Sequence, residues 1–131
     1  PPYNSLPPTS GPHVPQTVAS GVYREEIPDE LQVHALEHGH VLVQYSGATT
    51  AGEVRLLEDV ARRHLRDVVV APYGRLASGI ALTAWGRLEY LDAVDPAAVD
   101  AFVRAFAGRY DHGWQPGREP VAVAAQPPAE R

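Results

Sequence analysis

Three of the six histidines of this 131-residue chain and one carboxylate fall within seven positions, in Val33-His34-Ala35-Leu36-Glu37-His38-Gly39-His40-Val41. Imidazole is the commonest protein metal ligand, and clustered His and Glu is the pattern from which small proteins build metal sites. The chain has no Cys and no Met. A metal in this segment is therefore held by nitrogen and oxygen, and thiol redox chemistry, disulfides and thiolate sites are excluded. A nitrogen-rich, sulfur-free donor set suits Cu(II) or Zn(II), and copper binds more tightly in the Irving–Williams order. Copper is the expected cofactor, with zinc as the alternative.

Which of these residues meet depends on the backbone. In a helix over residues 30–38, His34 and His38 stand at i, i+4 on one face with Glu37 beside them. In a strand, His34, His38 and His40 share a face by parity and Glu37 points away. His34 and His38 come together either way. Glu37 joins them only in the helix, and His40 only in the strand. A catalytic site that keeps one position open needs a third ligand. His13 is the best candidate, because Gly11 and Pro12 in Ser10-Gly11-Pro12-His13 fix the backbone that presents it. His112 is a weaker one, and His64 sits at an Arg-rich helix end where it interacts with the dipole or solvent.

Three functional readings follow. The first is a His-rich copper site, either of an oxygen-using oxidative enzyme or of a copper-binding protein without turnover. Tyr23 and Tyr45, otherwise half-buried phenols with satisfied hydroxyls, are candidate donors beside such a metal. The absence of Met disfavours Cu(I) trafficking, which uses soft ligands. The second is a module that binds a peptide or small molecule without metal, with the histidines as a pH-sensitive surface. The third is zinc-dependent hydrolysis, since His-x-x-Glu-His matches a metalloprotease motif in which Glu37 would activate a metal-bound water. Against it, Gly39 ends the helix at once and no downstream ligand helix is evident. The plain alternative to all three is a set of partly exposed polar residues around a turn.

The elements that must position these residues can be read from pattern. Asp29, with Gln32 three residues on, suggests a cap for a short helix that Gly39 stops. Residues 40–46 form a strand. Thr50 and Glu53 make a capping box opening a helix to about Arg66, with Val54, Leu57, Ala61 and Leu65 as its apolar face. Val68 to Ala71 is a buried strand stopped by Pro72. Gly79 to Leu91 reads as an extended strand pair or one long strand, with Trp85-Gly86 as its bend or bulge. Asp95 caps and Pro96 opens a last helix, with Val99, Phe102, Val103 and Phe106 facing the core. Strand, helix, strand, hairpin and helix predict a single α/β domain, with α+β as a rival. The element order is thioredoxin-like without the redox motif of that fold.

Length supports one domain with a real core. Six prolines in residues 1–16 make the N-terminal arm extended, and its varied side chains predict an arm packed on the domain. The expected boundaries are an arm over 1–20, a globular domain over 21–114 and a C-terminal tail over 115–131. Net charge is −5, and all eleven basic residues are Arg, interspersed with acids. No basic stripe points to nucleic acid. No apolar run reaches the roughly 18 residues of a membrane span, and a removed signal or anchor upstream stays open. The substrate and the oligomeric state are not readable from these residues.

Several blocks also carry a resemblance. Tyr3-Asn4-Ser5, Pro7-Pro8-Thr9-Ser10-Gly11-Pro12-His13, Gly21-Val22-Tyr23, His34-Ala35-Leu36-Glu37-His38-Gly39 and Leu82-Thr83-Ala84-Trp85-Gly86, in this order, resemble the bacterial family catalogued as domain of unknown function 3105. The resemblance runs from about Tyr3 to Arg109. It implies that the arm belongs to the domain, which raises His13 as a partner of His34 and His38. Many members resemble exported, membrane-tethered proteins, so the resemblance implies an extracytoplasmic location, with the cytoplasm as the alternative. Members often carry Cys just before the Gly-Val-Tyr block, where this chain has Ser20, so no role needing a thiol carries over.

Overall fold

Two apolar, Val-rich runs, Val41-Leu42-Val43 and Val68-Val69-Val70, form the centre of the sheet, because each residue there is buried on one face or the other. A computed structural model describes residues 3–11, 17–109 and 122–123. In chain order the elements are β1 (Thr17–Val18), β2 (Gly21–Val22), α1 (Asp29–Glu37), β3 (Val41–Tyr45) and α2 (Ala51–Arg63). There follow β4 (Val68–Pro72), β5 (Ile80–Ala84), β6 (Arg87–Leu91), α3 (Pro96–Phe106) and β7 (Ala122–Val123).

Five strands make one mixed sheet in the order β2-β4-β3-β5-β6. β4 pairs in parallel with β2 and β3, β5 runs antiparallel to β3, and β6 antiparallel to β5. The result is a mixed α/β domain with three helices among the described residues. β1 pairs in parallel with β7, so two residues of the segment read as a tail form a ladder with the segment read as an arm.

Alternation along the strands builds two cores. Val41, Val43, Val68, Val70, Ile80 and Leu82 face α2 and α3, where Leu57, Val60, Phe102 and Val103 close the layer. Leu42, Val69 and Ala71 face the other way, onto Ala35 and Leu36 of α1 and onto Tyr23 and Ile27. Residues 3–11 also reach the sheet. The Thr9 carbonyl accepts from the Gly86 amide at 2.9 Å, the Tyr90 hydroxyl donates to the Leu6 carbonyl, and Pro7, Pro8 and Thr9 are buried.

Local chemistry explains most boundaries. Thr50 and Glu53 make the reciprocal capping box of α2. Asp95 accepts from the amides of Ala97 and Ala98 with Pro96 in the first turn of α3. The hairpin turns on Trp85-Gly86, with Gly86 at φ +71°. Two expectations change. α2 stops at Arg63, not near Arg66, because the His64 ring leaves the helix to bond Asp100 on α3 at 2.9 Å. Leu65 is consequently 73% exposed and drops out of the apolar face, which Val60 completes instead.

Candidate metal centre

α1 carries the histidine segment and is fixed at both ends. At its start the sequence suggests an Asp29 cap, but Pro28 holds the cap position and Asp29 is the first helical residue. Its carboxylate is used elsewhere. Arg75, from the loop after β4, donates to both Asp29 oxygens at 3.0 and 2.7 Å, and the Tyr73 hydroxyl donates to one of them at 3.3 Å. This fork geometry orients as well as attracts. Burial, followed by the field of Asp29, pushes the Tyr73 hydroxyl well above its ordinary range. Gln32 is not a capping partner either. It is fully buried, its Nε2 donates to the Ile27 carbonyl at 2.7 Å, and its Oε1 accepts from Gln44 Nε2 of β3 at 3.0 Å.

At its end, α1 stops where Gly39 predicts. Gly39 takes φ +88°, its amide donates to Leu36 O at 3.0 Å, and the His40 amide donates to Ala35 O at 3.2 Å. This pair of bonds is a Schellman closure, which needs a left-handed residue at Gly39. The Gly39 carbonyl then accepts from the Gly108 amide beyond α3 at 2.8 Å.

The helix reading therefore decides the grouping. His34 and His38 lie one turn apart with Nε2 atoms at 3.1 Å, and their rings are offset-stacked at 4.9 Å between centroids. One carboxylate oxygen of Glu37 joins them, and all three potential ligand atoms lie within 4.8 Å of one another. Among the described residues this is the only such group of three His, Asp or Glu side chains. His34 is 8% exposed, so the pair borders the interior instead of waving in solvent.

The remaining candidates are dispersed. His40 lies outside this group, past the Schellman turn, and lines a cavity with Trp85. His13 and His112 lie outside the described residues. Tyr23 is on the same face of the sheet as α1. It is buried, its hydroxyl donates to the Ala19 carbonyl at 2.6 Å, and burial pushes its pKa up to about 12. Tyr45 is on the opposite face, packed against the α2–α3 core. Burial raises its pKa, and the nearby charges are Arg24 and the fully buried Glu58. The sheet thus separates Tyr45 from the histidines. Of the residues that hold the site in place, Gln44 and Arg75 were not singled out from sequence, and Gln32 was read only as a capping partner. A buried Gln facing a Gln on the next element leaves no periodic signal.

A family model described as "Protein of unknown function (DUF3105)" matches residues 2–121. Neither the curated proteins nor the solved structures contain a match.

Proposed function

The chain belongs to the DUF3105 family of proteins of unknown function, and from that premise we propose that it is a metal-binding domain with His34, His38 and Glu37 as ligands and Cu(II) as the preferred ion. The observation that carries this is the 3.1 Å separation of the two Nε2 atoms. Nitrogens each about 2.0–2.1 Å from one ion stand about 2.9 Å apart at a right angle and about 3.4 Å apart at the tetrahedral angle. The pair is therefore preset, and α1, fixed at both ends, keeps it so. The Glu37 oxygen lies within 4.8 Å of both nitrogens, and two ligands of one ion are at most about 4.2 Å apart, so at most a small side-chain adjustment brings it in. His13 is the further ligand that the sequence suggests, and substitution tests it. Preference for copper over zinc rests on the nitrogen-dominated donor set.

In the oxidative version of this reading, Tyr23 and not Tyr45 is the available phenol, since only Tyr23 shares the α1 face. Hydrolysis by zinc is weakened by the same geometry, because a Glu37 that ligates the ion is not free to act as base. A thioredoxin-like scaffold for the site is supported by the strand order, in which the third strand of the five lies between the first and second and the last two run antiparallel. The contacts of residues 3–11 support a role for the arm as part of the domain. An extracytoplasmic location is part of the proposal by family resemblance. No helix among the described residues is long and apolar enough to cross a membrane.

The test is titration of chelator-treated, untagged protein with Cu(II) and Zn(II), with electron paramagnetic resonance of the copper form. One tight equivalent with nitrogen hyperfine structure is expected, abolished by His34→Ala and by His38→Ala and kept by His64→Ala. Weak, nonstoichiometric binding, or full affinity in His34→Ala, would sink the reading. It would then favour a metal-free binding module, a second reading supported by the cavity beside His40.

A further inference from the structure

A cavity of about 330 Å³ opens between the C-terminal turn of α1, the β5–β6 turn and the end of α3. It lies at the small end of the roughly 300–1,000 Å³ range of ligand sites and has room for a single-ring molecule. Leu36, Trp85 and Phe106 supply apolar wall, and Arg87 and Arg109 supply charge. Among the described residues no carboxylate lines it, although the chain carries 16 acidic against 11 basic residues.

Four of the other seven arginines among the described residues pair with acids. Arg24 pairs with Glu58, Arg62 with Asp59, Arg63 with Asp100 and Arg75 with Asp29. Among the described residues Arg87 and Arg109 make no such pair. Arg87 lies over the Phe106 ring, its Cζ 5.6 Å from the centroid. Arg109 donates through Nε to the Ala105 carbonyl at 3.2 Å. That bond fixes the base of the guanidinium at the rim of the cavity. Two guanidinium groups from β6 and from beyond α3 thus meet at one apolar concavity, the arrangement that recognises a planar anion through paired N–H donors.

We infer that this cavity binds a small organic carboxylate, its apolar or aromatic body against Trp85 and Phe106 and its carboxylate between Arg87 and Arg109. The inference does not rest on the metal reading, since none of the three proposed ligands lines the cavity.

The test is NMR of the ¹⁵N-labelled full chain, following the Trp85 indole during titration with benzoate and with its neutral isostere benzamide. Benzoate is expected to shift the indole saturably and to bind about tenfold or more tightly than benzamide, the scale of hydrogen bonds to a charged group. Arg87→Gln and Arg109→Gln each weaken benzoate about tenfold and leave benzamide unchanged. Both side chains are exposed, so the melting temperature stays near that of the parent. His38→Ala binds benzoate as the parent does, which separates this site from the metal centre. An absence of saturable benzoate shifts, equal affinity for the two probes, or unchanged affinity in both arginine variants would each overturn the inference.

Discussion

Replacing Gln32 by Leu tests the claim that a buried amide pair, not helix propensity, holds α1 and its histidines against the sheet. Gln32 is fully buried, donates to the Ile27 carbonyl and accepts from Gln44. Leu has nearly the same volume, so no large cavity forms, but two buried groups lose their partners: the Ile27 carbonyl and Gln44 Nε2. Each unmet group costs about 1–3 kcal/mol. Burial of extra apolar surface offsets part of this, leaving a net loss of about 2–4 kcal/mol. At about 4 °C per kcal/mol for a domain of this size, the melting temperature falls by about 8–16 °C. Gln44→Leu is milder, at about 0–2 kcal/mol, because it strands only the Gln32 oxygen and removes a Gln44 Oε1 that has no hydrogen-bond partner among the described residues. The double variant leaves just the Ile27 carbonyl unmet, against three groups in the two single variants together, so the two losses fall short of additivity by two groups, about 2–6 kcal/mol. Urea denaturation of the four proteins measures the cycle. Additivity within about 0.5 kcal/mol, the usual figure for independent sites, or a neutral Gln32→Leu, would refute the reasoning.

Three further outcomes are expected. Gly79→Ala destabilises strongly, since φ is +74° and the new Cβ would collide with the Leu91 carbonyl oxygen; Gly86→Ala, at φ +71° with open space, loses only about 1–2 kcal/mol for the left-handed backbone. Equal chemical-denaturation midpoints for the two would contradict this. Tyr23 has its pKa raised to about 12 by burial against an ordinary 10.0; its contribution is complete below pH 10 and is lost as pH rises through 12. Ultraviolet titration should accordingly show a late phenolate that Tyr23→Phe removes, and an unaltered titration in that variant is the contrary result. At Asp100, burial acts to raise the pKa, but the hydrogen bonds from Arg63 and His64 outweigh it and bring it below 3.8. That stability is present above the ordinary carboxylate value and is lost as pH falls through the lowered one. Asp100→Asn therefore loses stability near neutrality and has a shallower acid limb in pH-dependent melting; an acid limb identical to the parent's would count against the pairing.

What was legible in the sequence was local chemistry. Thr50 with Glu53, Asp95 with Pro96, and Gly39 each name a boundary because the stabilising bond forms within a few residues. The His34–His38 spacing was legible for the same reason, since helical geometry alone brings i and i+4 together. What was hidden depends on residues far apart in the chain. Asp29 has the composition of a cap, yet Arg75 takes its carboxylate. Leu65 continues the α2 period, yet His64 is drawn away by Asp100. β1 and β2 are only two residues long and carry too little pattern to register. Tyr45 lost its place near the histidines to strand parity, which puts it on the face of Val41 and Val43. The arginine-rimmed cavity exists only once β6 and the end of α3 are side by side.

The bond from the Gly108 amide to the Gly39 carbonyl has a consequence for the order in which the molecule forms. The turn bearing the second histidine is latched by a residue beyond the last helix, so its final closure waits on the docking of α3. Contacts between distant segments form after the loop between them has been closed, and that closure sets the pace of folding. If the proposed centre binds an ion, that competence is therefore a late property of a refolding chain. In a stopped-flow experiment, far-ultraviolet circular dichroism should recover before capture of a chromogenic metal complex does, and simultaneous recovery would place the latch early.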